Sequence, residues 1–308
     1  VVSRRPARAL QLLALSLRGL GAAPPPGAGG TVTTSFPEAV LVILEGYDGG
    51  VVGVCSGTLV GRGWVLTAAH CVVPAAGYSP TAAYVAFVDD MSEITAATLS
   101  TASWVVHPDY DANSGTGDAA LLQLDDDAPV APAALFTGTP SAAADDGRSF
   151  TIVGFGAEAH DDVSGEVVKR EARVEQVDVD GTWLYTEDDQ GEANGCMGDS
   201  GGPLFRWSDG GDEYALAGVM NWVTTCEGGT MGSLRVDTVA GWVIDYVDDA
   251  TTVSDLGNAP VDAETDGMVV DGVPVEPNGV GCAAVPGAAL GLGGLGLLAT
   301  RRLQRPQR

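Results

Sequence analysis

Lysine occurs only once in the 308 residues, at Lys169, and the 15 lysines and arginines together face 41 acidic residues, a formal net charge of −26. A field of that sign repels a phosphate backbone, so nucleic acid is excluded as a partner. Histidine is as scarce: His70, His107 and His160 are all there is. The five cysteines show no paired C-x-x-C spacing, so no zinc-binding ligand set is legible. No G-x-y period accompanies the 43 glycines and 17 prolines, which excludes collagen. What is present is a chain 45% hydrophobic, enough to build a core and long enough for one large domain or two ordinary ones.

Charge is unevenly placed. Arg4, Arg5, Arg8 and Arg18 precede the first acid, Glu38, and Arg301, Arg302, Arg305 and Arg308 follow the last, Glu276. The stretch 27–282 therefore holds seven bases and all 41 acids. The two basic ends read as addresses on an acidic passenger. At the N-terminal side, residues 1–26 run from arginines through the apolar Ala9–Leu17 to small residues at Gly21-Ala22-Ala23 and then three prolines, the order of a secretory signal or propeptide. At the other end, Gly281–Thr300 is 20 residues without a charge, followed by Arg301-Arg302. As a helix it would span about 30 Å, one bilayer crossing, with the arginines kept inside. Gly281-Cys282, an apolar run and an arginine cluster resemble the MYXO-CTERM type of C-terminal sorting tail, in which the cysteine marks processing and anchoring. That resemblance implies a sorting protease acting at Cys282 and membrane contact through 281–300 before processing; a plain membrane anchor is the alternative. Residues 251–280, with six acids and almost no large apolar side chains, read as an extended, self-repelling linker.

The middle, 27–250, reads as β. Short apolar runs recur at Ala39–Leu44, Trp64–Thr67, Ala83–Val88, Ala119–Leu124, Thr151–Val153, Glu171–Val179 and Ala215–Val223, punctuated by Gly, Asp, Ser and Pro. One helix is expected, near Thr238–Val247. Many short strands over such a length suggest a sandwich or a barrel.

Chemistry gathers in three places. Thr67-Ala68-Ala69-His70-Cys71 is one; Cys196-Met197-Gly198-Asp199-Ser200-Gly201-Gly202-Pro203-Leu204 is another; between them, His107-Pro108-Asp109-Tyr110 precedes Asp118-Ala119-Ala120-Leu121-Leu122. In order and in wording these resemble the active-site blocks of the trypsin-like (chymotrypsin-family) serine proteases, over about Val32–Val247. The resemblance implies an all-β fold of two six-stranded antiparallel barrels with the active site between them and a short C-terminal helix. It also implies an exported serine endopeptidase that takes protein or peptide substrates and needs no metal and no cofactor.

The roles follow from the same likeness and from the chemistry. A serine hydroxyl attacks only when a base takes its proton, and His70 changes charge near neutrality. Asp118 would orient His70, Ser200 would attack, and the N–H groups of Gly198 and Ser200 would receive the oxyanion. His107 and His160 read as a structural and a surface residue. The pairings implied are Cys55–Cys71 and Cys196–Cys226, leaving Cys282 in the tail; two bridges fit an oxidising compartment. Asn194 falls at the base of the primary pocket, Asn221-Trp222-Val223 along the substrate backbone, and Gly232 at the second pocket wall, so a small or medium apolar side chain is expected before the scissile bond. Family zymogens free an amine that pairs with the acid beside the nucleophile, here Asp199. The matching place, Gly27-Ala28-Gly29-Gly30, opens with neither Ile nor Val and follows Pro26. A catalytically silent binding module on the same fold, at the cell surface, is the alternative reading.

Overall fold

The computed structural model describes residues 30–73, 75, 78–141, 149–157, 166–187, 194–226 and 228–257. The signal-like segment, the sorting tail with Cys282, His160 and all but the first residues of the linker lie outside them. Among the described residues no helix is long and apolar enough to cross a membrane.

A two-residue strand, β1 (Thr31–Val32), comes first. Six strands then close a barrel: β2 (Ala39–Glu45), β3 (Val51–Gly61), β4 (Trp64–Thr67), β5 (Ala82–Ala86), β6 (Leu99–Val106) and β7 (Ala120–Leu124), ordered β2-β3-β4-β7-β6-β5. The second half holds β8 (Leu135–Phe136), β9 (Ser149–Gly154), β10 (Arg170–Val179), β11 (Trp183–Glu187), β12 (Pro203–Trp207), β13 (Tyr214–Val223), β14 (Met231–Arg235) and β15 (Thr252–Val253). The path β12-β9-β10-β11-β14-β13 closes because β13 also pairs with β12, giving a second six-stranded barrel. All ladders within the barrels are antiparallel; β8 and β15 add the short parallel pairings. The architecture is the one the sequence led us to expect.

Strand β2 explains its own composition. Ala-Val-Leu-Val-Ile-Leu is buried on both faces. Val40, Val42 and Leu44 fill the first barrel, whereas Leu41 and Ile43 turn outward onto Phe155 of the second half. A strand covered on both sides has no reason to alternate with polar residues. Phe155 thereby anchors the turn after β9 against the first barrel.

Helix α1 (Ala69–Val72) is a single turn after β4. Helix α2 (Val236–Tyr246) starts two residues ahead of the expected span. Val236, Val239, Ala240 and Val243 repeat at helical spacing and are buried, and Asp237 in the first turn is ion-paired with Arg235 at 2.7 Å. Both ends of the folded region cross between the halves. β1 leaves the first barrel to pair with β10. The end of α2 returns to the first: Val247 abuts Gly61, Asp249 accepts from the Arg62 N–H, and the Trp242 ring meets His107. The His107 ring thereby packs on the helix edge-to-face.

The single lysine belongs to the seam. Lys169, almost wholly buried, pairs with Asp89 at 2.6 Å and donates to the carbonyls of Ser35 and Phe36 at 3.2 Å each. A buried ammonium is tolerable only when so satisfied.

Candidate active site

The site sits in the seam. β4 ends at Thr67, and α1 carries His70 one residue into its turn. Asp118 arrives from the loop before β7. Its Oδ2 lies 2.7 Å from His70 Nδ1, and its Oδ1 accepts the His70 main-chain N–H at 2.9 Å. The carboxylate thus grips both the ring and the backbone of one residue. Burial pushes the Asp118 pKa up, but the His70 ring and the hydrogen bonds from His70 and Asn221 outweigh it and hold the carboxyl below its ordinary range. Asn221, on β13, is buried; its Nδ2 donates to the Asp118 carbonyl at 3.1 Å and its Oδ1 accepts from Leu234 N at 3.0 Å. Its side chain braces Asp118 from behind.

Ser200 is fully buried in the tight turn before β12. Its carbonyl accepts from Ser56 N on β3 at 2.8 Å, and Cys71 Sγ, beside His70, lies 3.8 Å from the same oxygen. Gly201 follows at φ +82°, where a Cβ would stand 2.0 Å from Thr67 Oγ1 and 2.8 Å from Ala68 N. Only glycine lets the Ser200 turn press this closely on the strand that delivers His70. Gly198 has φ +102°, and its carbonyl accepts from Ser56 Oγ at 2.9 Å.

Asp199 is buried against the turn after β9. Gly156 N donates to its Oδ1 at 2.7 Å and Cys196 N to its Oδ2 at 2.8 Å. A Cβ on Gly154 would stand 2.1 Å from Oδ1, and one on Gly156 2.2 Å from Oδ2. Burial lifts this carboxyl to about 6, against the pull of those two N–H groups and the charge of Arg170. Both disulfides are formed, Cys55–Cys71 tying β3 to α1 and Cys196–Cys226 tying the stretch just before Ser200 to the loop after β13.

With this geometry in view the comparisons are informative. A family model described as Trypsin matches residues 31–243. The chain belongs to the trypsin family of serine proteases. Serine protease 56 of Homo sapiens is 31% identical over 228 residues, which is 67% of this chain and 34% of that protein. Its Mus musculus namesake is 31% identical over 237 residues, 70% of this chain and 37% of that protein. Brachyurin of Leptuca pugilator is 28% identical over 183 residues, 56% of this chain and 77% of its own length. The chain spans about a third of the length of the two mammalian relatives.

In this trypsin-family chain the residues expected around the primary pocket have definite neighbours. Gly232 pairs with Trp222, and its missing Cβ would fall 2.1 Å from the indole Cε2. Paired residues share a face, so Gly232 lies on the tryptophan side, and Val223 is opposite Met231. Met231 Sδ and Val223 Cγ1 lie 3.0 and 3.3 Å from where a Gly195 Cβ would be. Met231 and Val223 therefore converge on Gly195 from adjacent strands. Asn194 does not present its amide to an open pocket: Nδ2 donates to the carbonyls of Thr225, Gly228 and Gly229, and Oδ1 accepts from Gly195 N. Asn221 directs its side chain to Asp118 and Leu234. Sequence reasoning missed Gly154, Gly156, Ser56 and Met231. The glycines of Gly154-Phe155-Gly156 were a visible signal, but nothing local ties them to Asp199.

Proposed function

We propose that this chain is a serine endopeptidase that hydrolyses peptide bonds of protein or peptide substrates through Ser200, His70 and Asp118, with a small or medium apolar side chain before the scissile bond. The observation that carries the reading is the double grip of Asp118 on His70, in the seam where the Ser200 turn packs. With Nδ1–H directed at Asp118, the lone pair of His70 is at Nε2. Nε2 takes the Ser200 Oγ proton as Oγ bonds to the carbonyl carbon, and the charge moves to the carbonyl oxygen. The N–H groups of Gly198 and Ser200 are the donors for that oxyanion; one such donor contributes about 2.7–4 kcal/mol to lowering the barrier. His70 then passes its proton to the leaving amine, and water repeats the cycle on the acyl-enzyme. Val223 and Met231 support the apolar preference, because together they crowd the floor at Gly195.

The same proposal places the enzyme outside the cytoplasm, supported by two disulfides and by the arginine-led apolar N-terminus. It takes 27–257 as the protease unit, since Thr252–Val253 pairs with β8 and Leu256 is buried, so that the linker expected at 251–280 shortens to 258–280, with Cys282 and 281–300 as the site of processing and membrane contact on the sequence alone. A fluorophosphonate probe tests the core of it. Labelling mapped to Ser200, absent in Ser200→Ala and in His70→Ala, is the expected result. A folded, disulfide-bonded parent that neither labels nor cuts a mixed peptide library would favour the silent binding module.

A further inference from the structure

The carboxylate of Asp199 is buried beside the nucleophile, and burying an ionised carboxylate without a cation is costly. Its nearest partners are two main-chain N–H groups, those of Gly156 and Cys196. It occupies space that exists only because residues 154 and 156 lack a Cβ. Arg170 stands directly opposite Gly154 in the β9–β10 ladder. Directly paired residues point to the same face, and the Gly154 face is the one Asp199 fills. The Arg170 side chain thus leaves β10 on the face that Asp199 fills, at a range where its charge is felt, with Val32 of β1 paired on the strand's other edge. Alternation sends the preceding residue, Lys169, to the opposite side, where Asp89 and two carbonyls hold it. Arg170 is the charged residue whose field lowers the Asp199 pKa; Ser56 Oγ and the Cys196–Cys226 bridge nearby are neutral.

We propose that Arg170 is a built-in cation for Asp199, a positioning residue that holds the 196–200 turn, and with it the Gly198 and Ser200 N–H groups, in the working arrangement without a cut at Gly27–Gly30. That stretch has no Ile or Val to open a new end and no base before it, so the charge is supplied from within the second barrel. The inference rests on the serine-peptidase reading above and goes beyond it to how the site is kept active.

The test uses the exported, disulfide-bonded chain, shown by mass spectrometry to be uncut at Gly27–Gly30, the fluorophosphonate probe and an apolar p-nitroanilide peptide. The intact parent should label at Ser200 and turn over. In Arg170→Met, kcat should fall by about 10²-fold while KM changes less than about 3-fold, because oxyanion donors act on the transition state rather than on ground-state binding. Arg170→Lys, which keeps the charge, should recover most of the loss. If Arg170→Met does not fold, labelling of the intact parent and the kcat of Arg170→Lys decide the matter. An intact chain that is inert until cut near Gly27 overturns the inference and leaves the peptidase reading standing, as does an Arg170→Met enzyme with the parent kcat. If neither intact nor cut chain labels, the peptidase reading falls and this inference with it.

Discussion

Shaving Met231 to alanine removes Cγ, Sδ and Cε from the one place where three side chains converge on Gly195. Met231 is fully buried, and its Sδ, Val223 Cγ1 and Met220 Sδ lie 3.0, 3.3 and 3.5 Å from the Cβ position of Gly195. If those atoms bound the space a substrate side chain enters, the vacated volume accepts a longer one. Each methylene newly buried contributes about 0.8 kcal/mol, so two to three of them give about 2 kcal/mol, some 30-fold in kcat/KM. The unfilled cavity costs about 2–5 kcal/mol of stability in the absence of substrate, so the melting temperature should fall. The assay is a matched p-nitroanilide series with Ala, Val, Leu, Phe and Arg before the bond. The parent should favour Ala and Val and neglect Arg. Met231→Ala should raise the Leu/Ala ratio by about 30-fold, and Val223→Gly should extend cleavage toward Phe by a similar factor. Gly232→Ala, whose new methyl collides with the Trp222 indole, should lower turnover of every member of the series without reordering it. Unchanged ratios in both wall variants with the fold intact, or a parent that prefers Arg, would refute the assignment of the walls.

Two further outcomes follow from the same geometry. Asp199 has a folded value of about 6 against an ordinary 3.8, so the folded chain holds this proton more tightly than the unfolded one. Its contribution to stability is therefore present at the acid end and fades as pH rises from 3.8 to about 6, whereas the turn it organises needs the ion. Activity should drop on acidification through about 6 while near-UV circular dichroism stays native; loss of activity and of structure at the same pH would contradict this. Asn221→Ala leaves the buried Leu234 N–H and the Asp118 carbonyl without their side-chain partner, so it should cost about 1–3 kcal/mol in chemical denaturation and lower kcat more than it raises KM. A variant with parental stability would show that the brace is idle.

Which parts of this were legible beforehand depends on how local the constraint is. The histidine and serine blocks are contiguous strings whose neighbours are fixed by a single turn, so they could be read directly. The strands could be read wherever apolar runs were bounded by Gly, Pro or Asp. β3 was harder because Val51–Gly61 interleaves Gly and Ser where its backbone faces β2, β4 and the Ser200 turn. The neighbour of Val223 was hidden for a sharper reason. β13 carries a register shift between Met220 and Trp222, and an error of one residue in aligning β14 exchanges its two faces. Counting from sequence put Gly232 beside Val223; the ladder puts Met231 there. Gly154, Gly156 and Ser56 escaped notice because their partners lie on other loops, and no periodicity records a contact across the barrel seam.

The crossing of the chain ends has a consequence for how the molecule comes apart. β1 belongs in sequence to the first barrel and is hydrogen-bonded to β10 of the second, while just after α2 Val247 packs on Gly61 and Asp249 is bonded to Arg62 of the first. Each half is buckled shut by a strap cut from the other. A nick in the chain between β7 and β9 therefore leaves two fragments that remain clasped, and a pull on a C-terminal tail is borne first by the bonds of Leu256 to Asp209 and of β15 to β8, and reaches the Arg62–Asp249 clasp only after these have parted.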